Sequence, residues 1–381
     1  MASSIRQPVV PNGWRAVRLA DVARIHAGGR LKLTKGDYRV TGVPAYSAAG
    51  QDGFVAVTES EEPAVILSSI GARCGKCFYA PGPWTTLANT QAIIPDRTQC
   101  DPRFLYEYVN DESYWFRSGS AQPFIAPSTI KSAWIALPPL DEQRRIAAVL
   151  SAIDGAVAAG GGVAASLTTL RQRLADDLFN DLAEQVAPTP LGQVATIQTG
   201  VAKNKASEGA THERPYLSVA NVKDGHLDLS TVKTICVEDR ATERFALRKG
   251  DVLFCEGGDA DKVGRGTVWH DEIPGCLHQN HVFAVRTDPA RLLPDFLSFY
   301  RSATAGRRYF LDAAKQTTNL ASINSSQLRA MPIPVPSLSE QRRVVALIGG
   351  LDARLIAERR ADDETKRVKR AVAATLLGGA A

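Results

Sequence analysis

Leu137-Pro-Pro-Leu-Asp-Glu-Gln-Arg-Arg-Ile146 and Val335-Pro-Ser-Leu-Ser-Glu-Gln-Arg-Arg-Val344 are two versions of one stretch, offset by 198 residues from Glu142 to Glu340 in a chain of 381. Asp154 and Asp352 recur at the same offset. The pattern marks a tandem duplication, and a repeat governs how every shorter motif is read. Each copy reads as a helix start. Pro138-Pro139, Pro334 and Pro336 force extended backbone and then release it. Asp141 and Ser339 are good N-cap types, and Glu142 and Glu340 fall in the first turn, where the helix dipole favours negative charge. Downstream, Ile146, Val149, Leu150, Ile153 and Val157 keep helical spacing, as do Val344, Leu347, Ile348, Leu351 and Leu355. Each periodic segment runs for roughly 40 residues, or about 60 Å of helix, and a seam of that length predicts helix-on-helix pairing.

Working outward, 381 residues suffice for two to three domains. Hydrophobic residues make up 44% and charged residues 22%, the balance of a soluble globular chain. No apolar run reads as a membrane span, and Met-Ala-Ser-Ser-Ile-Arg-Gln-Pro at the N-terminus lacks a signal region, so a cytoplasmic location is expected. Six scattered cysteines predict reduced thiols. A net charge of +5 permits a polyanion partner without requiring one.

The long helices follow two mixed segments with short β-like runs. The first has Ala64–Leu67, Lys76–Tyr79 and Gln91–Ile94; the second has Pro215–Val219, Asp251–Phe254, Gly266–Trp269 and His281–Arg286. Leu19, Val22, Ile25 and Gly28 correspond to Leu191, Val194, Ile197 and Gly200, and short helices near 101–108 and 293–300 correspond as well. The fold class is therefore α+β: two similar α+β globules, each followed by a long helix, in a tandem internal repeat. Boundaries fall at 1–136, 137–187, 188–334 and 335–381, with Pro188-Thr-Pro190 as the clearest linker. Gly160-Gly-Gly162 interrupts the first helix pattern, reading either as a close helix contact or as a hinge.

Enzyme signatures fail. There is no phosphate-binding Gly-x-x-x-x-Gly-Lys-Ser/Thr loop and no Asn/Asp-Pro-Pro-Tyr/Phe tetrapeptide. Glu364-Thr-Lys366 matches a nuclease acid-x-Lys only inside a charged helical stretch, where it reads as a solvated face. Cys74-Gly-Lys-Cys77 is a lone pair, and His270, His278 and His281 have no partner ligands at a defined spacing, so no metal is expected. The Gly-rich 257–266 reads as a loop between strands, with Lys262 and Arg265 as its cations.

With the repeated Pro-x-Leu-x-Glu-Gln-Arg-Arg, the long helices and the two dissimilar globules in place, the chain resembles the specificity (S) subunit of type I restriction-modification systems, over essentially its full length. The resemblance implies that 1–136 and 188–334 are target recognition domains and that the two long helices are conserved spacers packed antiparallel as a coiled coil, which relates the two globules by a pseudo-two-fold axis. It implies a subunit that catalyses nothing itself. That subunit selects an asymmetric, bipartite double-stranded DNA sequence and carries two methyltransferase (M) subunits. It also works with restriction/translocase (R) subunits, so S-adenosylmethionine, ATP and Mg2+ belong to partners and no cofactor to this chain. The competing reading is a coiled-coil scaffold with protein-binding globules.

Base readout needs Arg or Lys for guanine and Asn or Gln for adenine on loops. The DNA-binding candidates are Arg30, Lys32, Arg73, Lys76, Asn89 and Gln91 in the first globule. In the second they are Lys203, Asn204, Lys205, Lys262, Arg265, His278, Gln279, Asn280, Lys315, Gln316 and Asn319. Glu142, Gln143, Arg144 and Arg145, with Glu340, Gln341, Arg342 and Arg343, are the same in both copies. They cannot encode two different half-sites, which leaves helix-start structure or partner docking.

Overall fold

The computed structural model describes residues 3–202, 212–258, 262–316 and 321–378. Four helices carry the architecture: α1 (Pro102–Val109), α2 (Leu140–Gln185), α3 (Pro294–Ser302) and α4 (Leu338–Leu376). Of these, α2 and α4 are 46 and 39 residues long and continuous. Their first helical residues are Leu140 and Leu338, so the caps are Pro139 and Ser337, not Asp141 and Ser339. The Pro139 carbonyl already accepts from Glu142 N and Gln143 N, which leaves Asp141 to pair with Arg144. Ser337 Oγ accepts from Glu340 N at 3.3 Å.

The chain divides into two compact units, residues 1–161 with 360–381, and residues 162–359. Both boundaries cut a long helix, so each unit owns one globule, one half of α2 and one half of α4.

In the first unit, β1 (Ala23–Ala27), β2 (Ala64–Ser68), β3 (Cys77–Ala80) and β4 (Thr90–Pro95) form an antiparallel sheet in the order β1-β4-β2-β3. Every residue of β2 and β4, the two central strands, is buried, including Thr90 and Gln91. A second sheet pairs Val43–Ser47 antiparallel with Gly50–Val55 and parallel with Thr85–Thr86. A ribbon of Arg15–Arg18 with Trp134–Leu137 leads into α2. α1 is capped by Asp101, whose carboxylate accepts from Arg103 N and Phe104 N. Its Phe104, Leu105 and Tyr108 share one core with Val65, Ile135, Ile146 and Leu150, and with Val372, Leu376 and Leu377 from the far end of the chain.

The second unit repeats this plan. Here β5 (Ala195–Thr199), β6 (Val252–Cys255), β7 (Gly266–Val268) and β8 (Val282–Thr287) run in the order β5-β8-β6-β7. His212–Leu217 pairs antiparallel with Lys233–Val237 and parallel with Leu277–His278. The matching ribbon is Pro188–Pro190 with Pro332–Pro334. The stretch expected to be a linker is therefore a strand: a two-stranded ribbon exposes N–H positions that proline can vacate without loss. This unit adds one sheet of its own, Gly257–Gly258 and Lys315–Gln316 flanking Ala321–Ser322. Its core gathers Phe179, Leu182, Phe254, Phe283, Phe296 and Leu297 with Val344 and Ile348 of α4.

Within each unit the halves of α2 and α4 run antiparallel. In the first, Asp154 bonds Lys369 at 2.7 Å and Arg103 at 2.7 Å, and Glu107 bonds both cations. In the second, Arg171 reaches Asp352 through two bonds of 3.0 and 3.3 Å and Ser302 through a third. Lys369 and Asp154 become Arg171 and Asp352 at the 198-residue offset, so the duplication preserved this ion pair between helices as well as the helix starts.

Gly160-Gly-Gly162 is neither a close contact nor a break. A Cβ added at Gly161 or Gly162 meets nothing within 4 Å, and at Gly160 only Asp362 Oδ1 at 3.7 Å. Helical hydrogen bonding offsets the intrinsic cost of glycine here because α2 is anchored at both ends by the two cores. Contrary to the sequence reading, α2 is long and apolar enough to cross a membrane by length and composition alone. The qualifying residues are mostly Ala, Gly and Val, each modest, so no bulky apolar run stands out.

Candidate nucleic-acid interface

In the first unit, three loops meet at one end of the four-stranded sheet: 28–32 after β1, 69–76 between β2 and β3, and 87–89 before β4. Backbone bonds tie them together. Gly28 N donates to Thr90 O and Gly29 N to Thr86 O, while Ser69 N donates to Asn89 O. A further segment joins through Gly71 N to Pro123 O and Ile125 N to Ser69 O. Gly28 is required by this closeness, since a Cβ there would lie 2.0 Å from Thr90 Oγ1. The resulting rim exposes Arg30, Lys32, Arg73, Lys76 and Asn89 beside the apolar Leu31, Ile70 and Phe124.

Two of these side chains stand on unusual backbone. Lys32 and Asn89 have φ of 54° and 66°. Positive φ at a non-glycine residue costs free energy and persists where surrounding bonds over-determine it, a pattern concentrated at functional sites. Arg73 is held by Nη1 donating to Ala49 O at 2.8 Å, and Lys76 faces Glu112 at 4.0 Å.

The second unit builds the same rim from different residues. Val201 N donates to His278 O, Asn280 N to Val201 O and Glu256 N to His281 O, and Ile323 N donates to Glu256 O. Gly200 sits as Gly28 does, with an added Cβ only 1.9 Å from His278 O. His281 Nδ1 lies 2.5 Å from Glu256 Oε2, and Asn280 Nδ2 lies 3.4 Å from His281 Nε2. Glu256 and His281 were not among the sequence candidates. No local sequence signal pairs them, since the contact joins residues 25 apart.

The structure corrects two candidates. Gln91 is 7% and His278 1% exposed, so neither side chain lies on a surface. Gln91 is a strand residue of β4, where β1 and β2 cover both sides. The His278 Nδ1–H donates to Val282 O at 2.7 Å, and burial lowers the imidazole's pKa, keeping it neutral. Gln279, Asn280, Lys262 and Arg265 are partly exposed, and Arg265 N donates to Lys262 O. Lys315 and Gln316 lie in a two-residue strand. Lys203, Asn204, Lys205 and Asn319 lie outside the described residues.

The repeated helix start separates into inward and outward parts. Gln143 and Gln341 are both fully buried and make the same three bonds. Gln143 Oε1 accepts from Asp101 N, and its Nε2 donates to Gln99 O and Pro138 O. Gln341 Oε1 accepts from Leu293 N, and its Nε2 donates to Arg291 O and Pro336 O. Asp101 and Leu293 are the N-cap residues of α1 and α3, so each glutamine clamps a spacer helix to the short helix beside it. Arg144, Arg145, Arg342 and Arg343 are exposed, Arg343 pairing with Glu340; Glu142 is half-buried.

Among the described residues no group of three or more His, Cys, Asp or Glu could hold a metal ion. Cys74 and Cys77 are buried, with Sγ donating to Ser69 O and Val109 O respectively, and burial pushes both thiols up. Asp224, which burial alone would raise, is held below the usual carboxylate range by Arg301 and Arg307, joining the loop before Leu227 to α3 and the helix after it.

The two units thus carry unlike rims on equivalent scaffolds. Residues 11–161 match the family described as type I restriction modification DNA specificity domain. The MjaVIII specificity subunit of Methanocaldococcus jannaschii is 22% identical, covering 97% of this chain and 93% of that protein. The EcoKI specificity subunit of Escherichia coli and the StySPI specificity subunit of Salmonella potsdam are each 24% identical; these matches cover about 40% of this chain, which here spans only about a third of those relatives' length. In fold, the S subunit of the type I restriction-modification system of M. genitalium aligns over 99% of both chains, with a TM-score of 0.61 and 14% identity. A chain from a study of complex assembly and conformational transition of the type I R-M system aligns over 98% of this chain, with a TM-score of 0.57 and 20% identity. The chain is thus similar over nearly its full length to a type I restriction-modification specificity subunit, and its residues 11–161 match the DNA specificity domain of that system.

Proposed function

We propose that this chain reads an asymmetric, bipartite double-stranded DNA sequence for a cytoplasmic type I restriction-modification complex. One half-site faces the rim of Arg30, Lys32, Arg73 and Asn89, and the other the rim of Gln279, Asn280, His281 and Glu256. The observation that carries this reading is the contrast between sameness and difference. Strand order, register and the Gln143/Gln341 clamp are common to both units, whereas the rim residues differ. A repeated scaffold with unlike loops suits two unlike half-sites. In this reading α2 and α4 set the unread gap, two methyltransferase subunits dock on the chain, and restriction/translocase subunits join them. S-adenosylmethionine, ATP and Mg2+ are then bound by those partners.

The test is to map N6-methyladenine in the host genome with and without this chain. Loss of one split methylation motif supports the reading, and its two parts name the half-sites. An unchanged methylome, together with duplex affinity that does not fall as salt rises, would favour a protein-binding scaffold instead.

A further inference from the structure

At the opposite end of the first sheet from its rim lies a cavity of about 390 Å³, lined by Tyr79, Arg97, Thr98, Asp101, Arg103 and Arg144. Its charges are unevenly committed. Arg103 is answered by Glu107 and Asp154 and lies over the rings of Tyr79 and Tyr106. Asp101 spends its carboxylate on the first turn of α1. Arg97 forms no hydrogen bond or ion pair among the described residues, and Arg144 has only Asp141 at 3.4 Å. One unpaired guanidinium group, Arg97, and one held only by an exposed carboxylate, Arg144, thus face a concave site.

The second unit lacks this site, and the strand registers say which residues replaced it. Pro95 and Thr287 stand opposite Ala23 and Ala195, and the next amides, of Asp96 and Asp288, both donate to the matching Val22 and Val194 carbonyls. Counting onward, Arg97, Thr98, Asp101 and Arg103 become Pro289, Ala290, Leu293 and Asp295. Likewise Tyr79, opposite Val65, becomes Val268, opposite Val252. Only Arg144 keeps its cation, as Arg342.

We propose that this cavity seats a carboxylate of a protein partner, an acidic side chain or chain terminus, and that it does so in the first unit alone. Planar guanidinium groups grip a carboxylate bidentately, which gives direction as well as strength. A DNA phosphate is disfavoured by position. The rim and the cavity lie at opposite ends of β4, about 20 Å apart at roughly 3.3 Å per residue. The cavity also adjoins the start of α2, whose exposed arginines are common to both halves and so are not sequence readers. The two halves of the chain then hold their partner copies unequally.

This rests on the proposed role as a complex-forming specificity subunit, and the experiment separates the two. The full chain is co-expressed with the methyltransferase subunits of the same host, and the complex is weighed by native mass spectrometry. Wild type is expected to hold two partner copies. Arg97→Gln with Arg144→Gln should release one of them, by a 10- to 100-fold weaker affinity, the scale of lost charge-assisted bonds. The Arg97→Lys, Arg144→Lys chain, equally exposed and equally folded, should recover part of it. Two copies held with unchanged affinity by the Gln variant would overturn the inference while leaving the specificity role intact. So would full retention with a flatter salt dependence of duplex binding, the mark of a phosphate site. A wild-type chain that holds no partner copy would overturn the role itself and the inference with it.

Discussion

Replacing Gln143 by Leu keeps nearly the same volume and removes three hydrogen bonds from a fully buried position. The Asp101 N–H and the carbonyls of Gln99 and Pro138 are left without that partner. A buried polar group stripped of its bond costs about 1–3 kcal/mol, so the three together cost about 3–6 kcal/mol once non-additivity is allowed for. Domain stabilities are only about 5–15 kcal/mol, so the effect is a large share of the first unit's stability. Hydrogen exchange reads it locally. Protection of the Asp101 amide and of α1 should fall by about 10²- to 10⁴-fold, with the second unit unchanged. Gln341→Leu should do the same to Leu293 and α3 alone. If Gln143→Leu lowers protection by less than about fivefold, roughly 1 kcal/mol, the clamp is not what fixes the spacer helix to its globule.

Three further outcomes are expected. Burial lowers the His278 pKa, so the unfolded chain takes up a proton first; the second unit keeps full stability above about pH 6.5 and loses it on acidification, by at most ~1.4 kcal/mol per pH unit. His278→Asn, which retains a donor for Val282 O, should flatten that slope in acid denaturation curves; an identical slope in both chains would assign it elsewhere. Matched seven-residue insertions after Ala165 in α2 and Ala357 in α4 lengthen the spacer by about 10 Å, or about 3 base pairs. Methylome mapping should show the gap widened by that amount, and an unchanged gap would refute a helical ruler. Asn89→Ala should relax recognition at one half-site, by about 1–3 kcal/mol against competing bases if the contact is bidentate, and leave the other half-site as it was.

Much of the architecture was legible because the duplication repeats its punctuation. Two Pro-x-Leu-x-Glu-Gln-Arg-Arg copies placed α2 and α4, and the alignment of Leu19 with Leu191 anticipated that β1 and β5 correspond. The buried role of Gln143 was hidden by its neighbours, since in Glu-Gln-Arg-Arg the charged residues draw attention and only the helical phase turns the glutamine inward. Pro188-Thr-Pro190 misled because proline usually punctuates, and nothing local reveals that Pro332–Pro334 lies alongside. The rims were half legible. Composition picked out Arg30, Lys32 and Asn89, but burial of Gln91 and His278 depends on strands distant in sequence, and the Glu256–His281 contact spans 25 residues.

The division of the chain also dictates an order of assembly during synthesis. The second unit is an uninterrupted stretch, 162–359, and can close as it leaves the ribosome. The first cannot, because Val372, Leu376 and Leu377 belong to its core and are made only after the whole of the second unit. At about 5–20 residues per second, the helix half ending at residue 161 waits on the order of 10–40 s for its partner. During that interval Ile146 and Leu150 have no α4 to cover them, so the nascent N-terminal half is the part of this protein most in need of a chaperone.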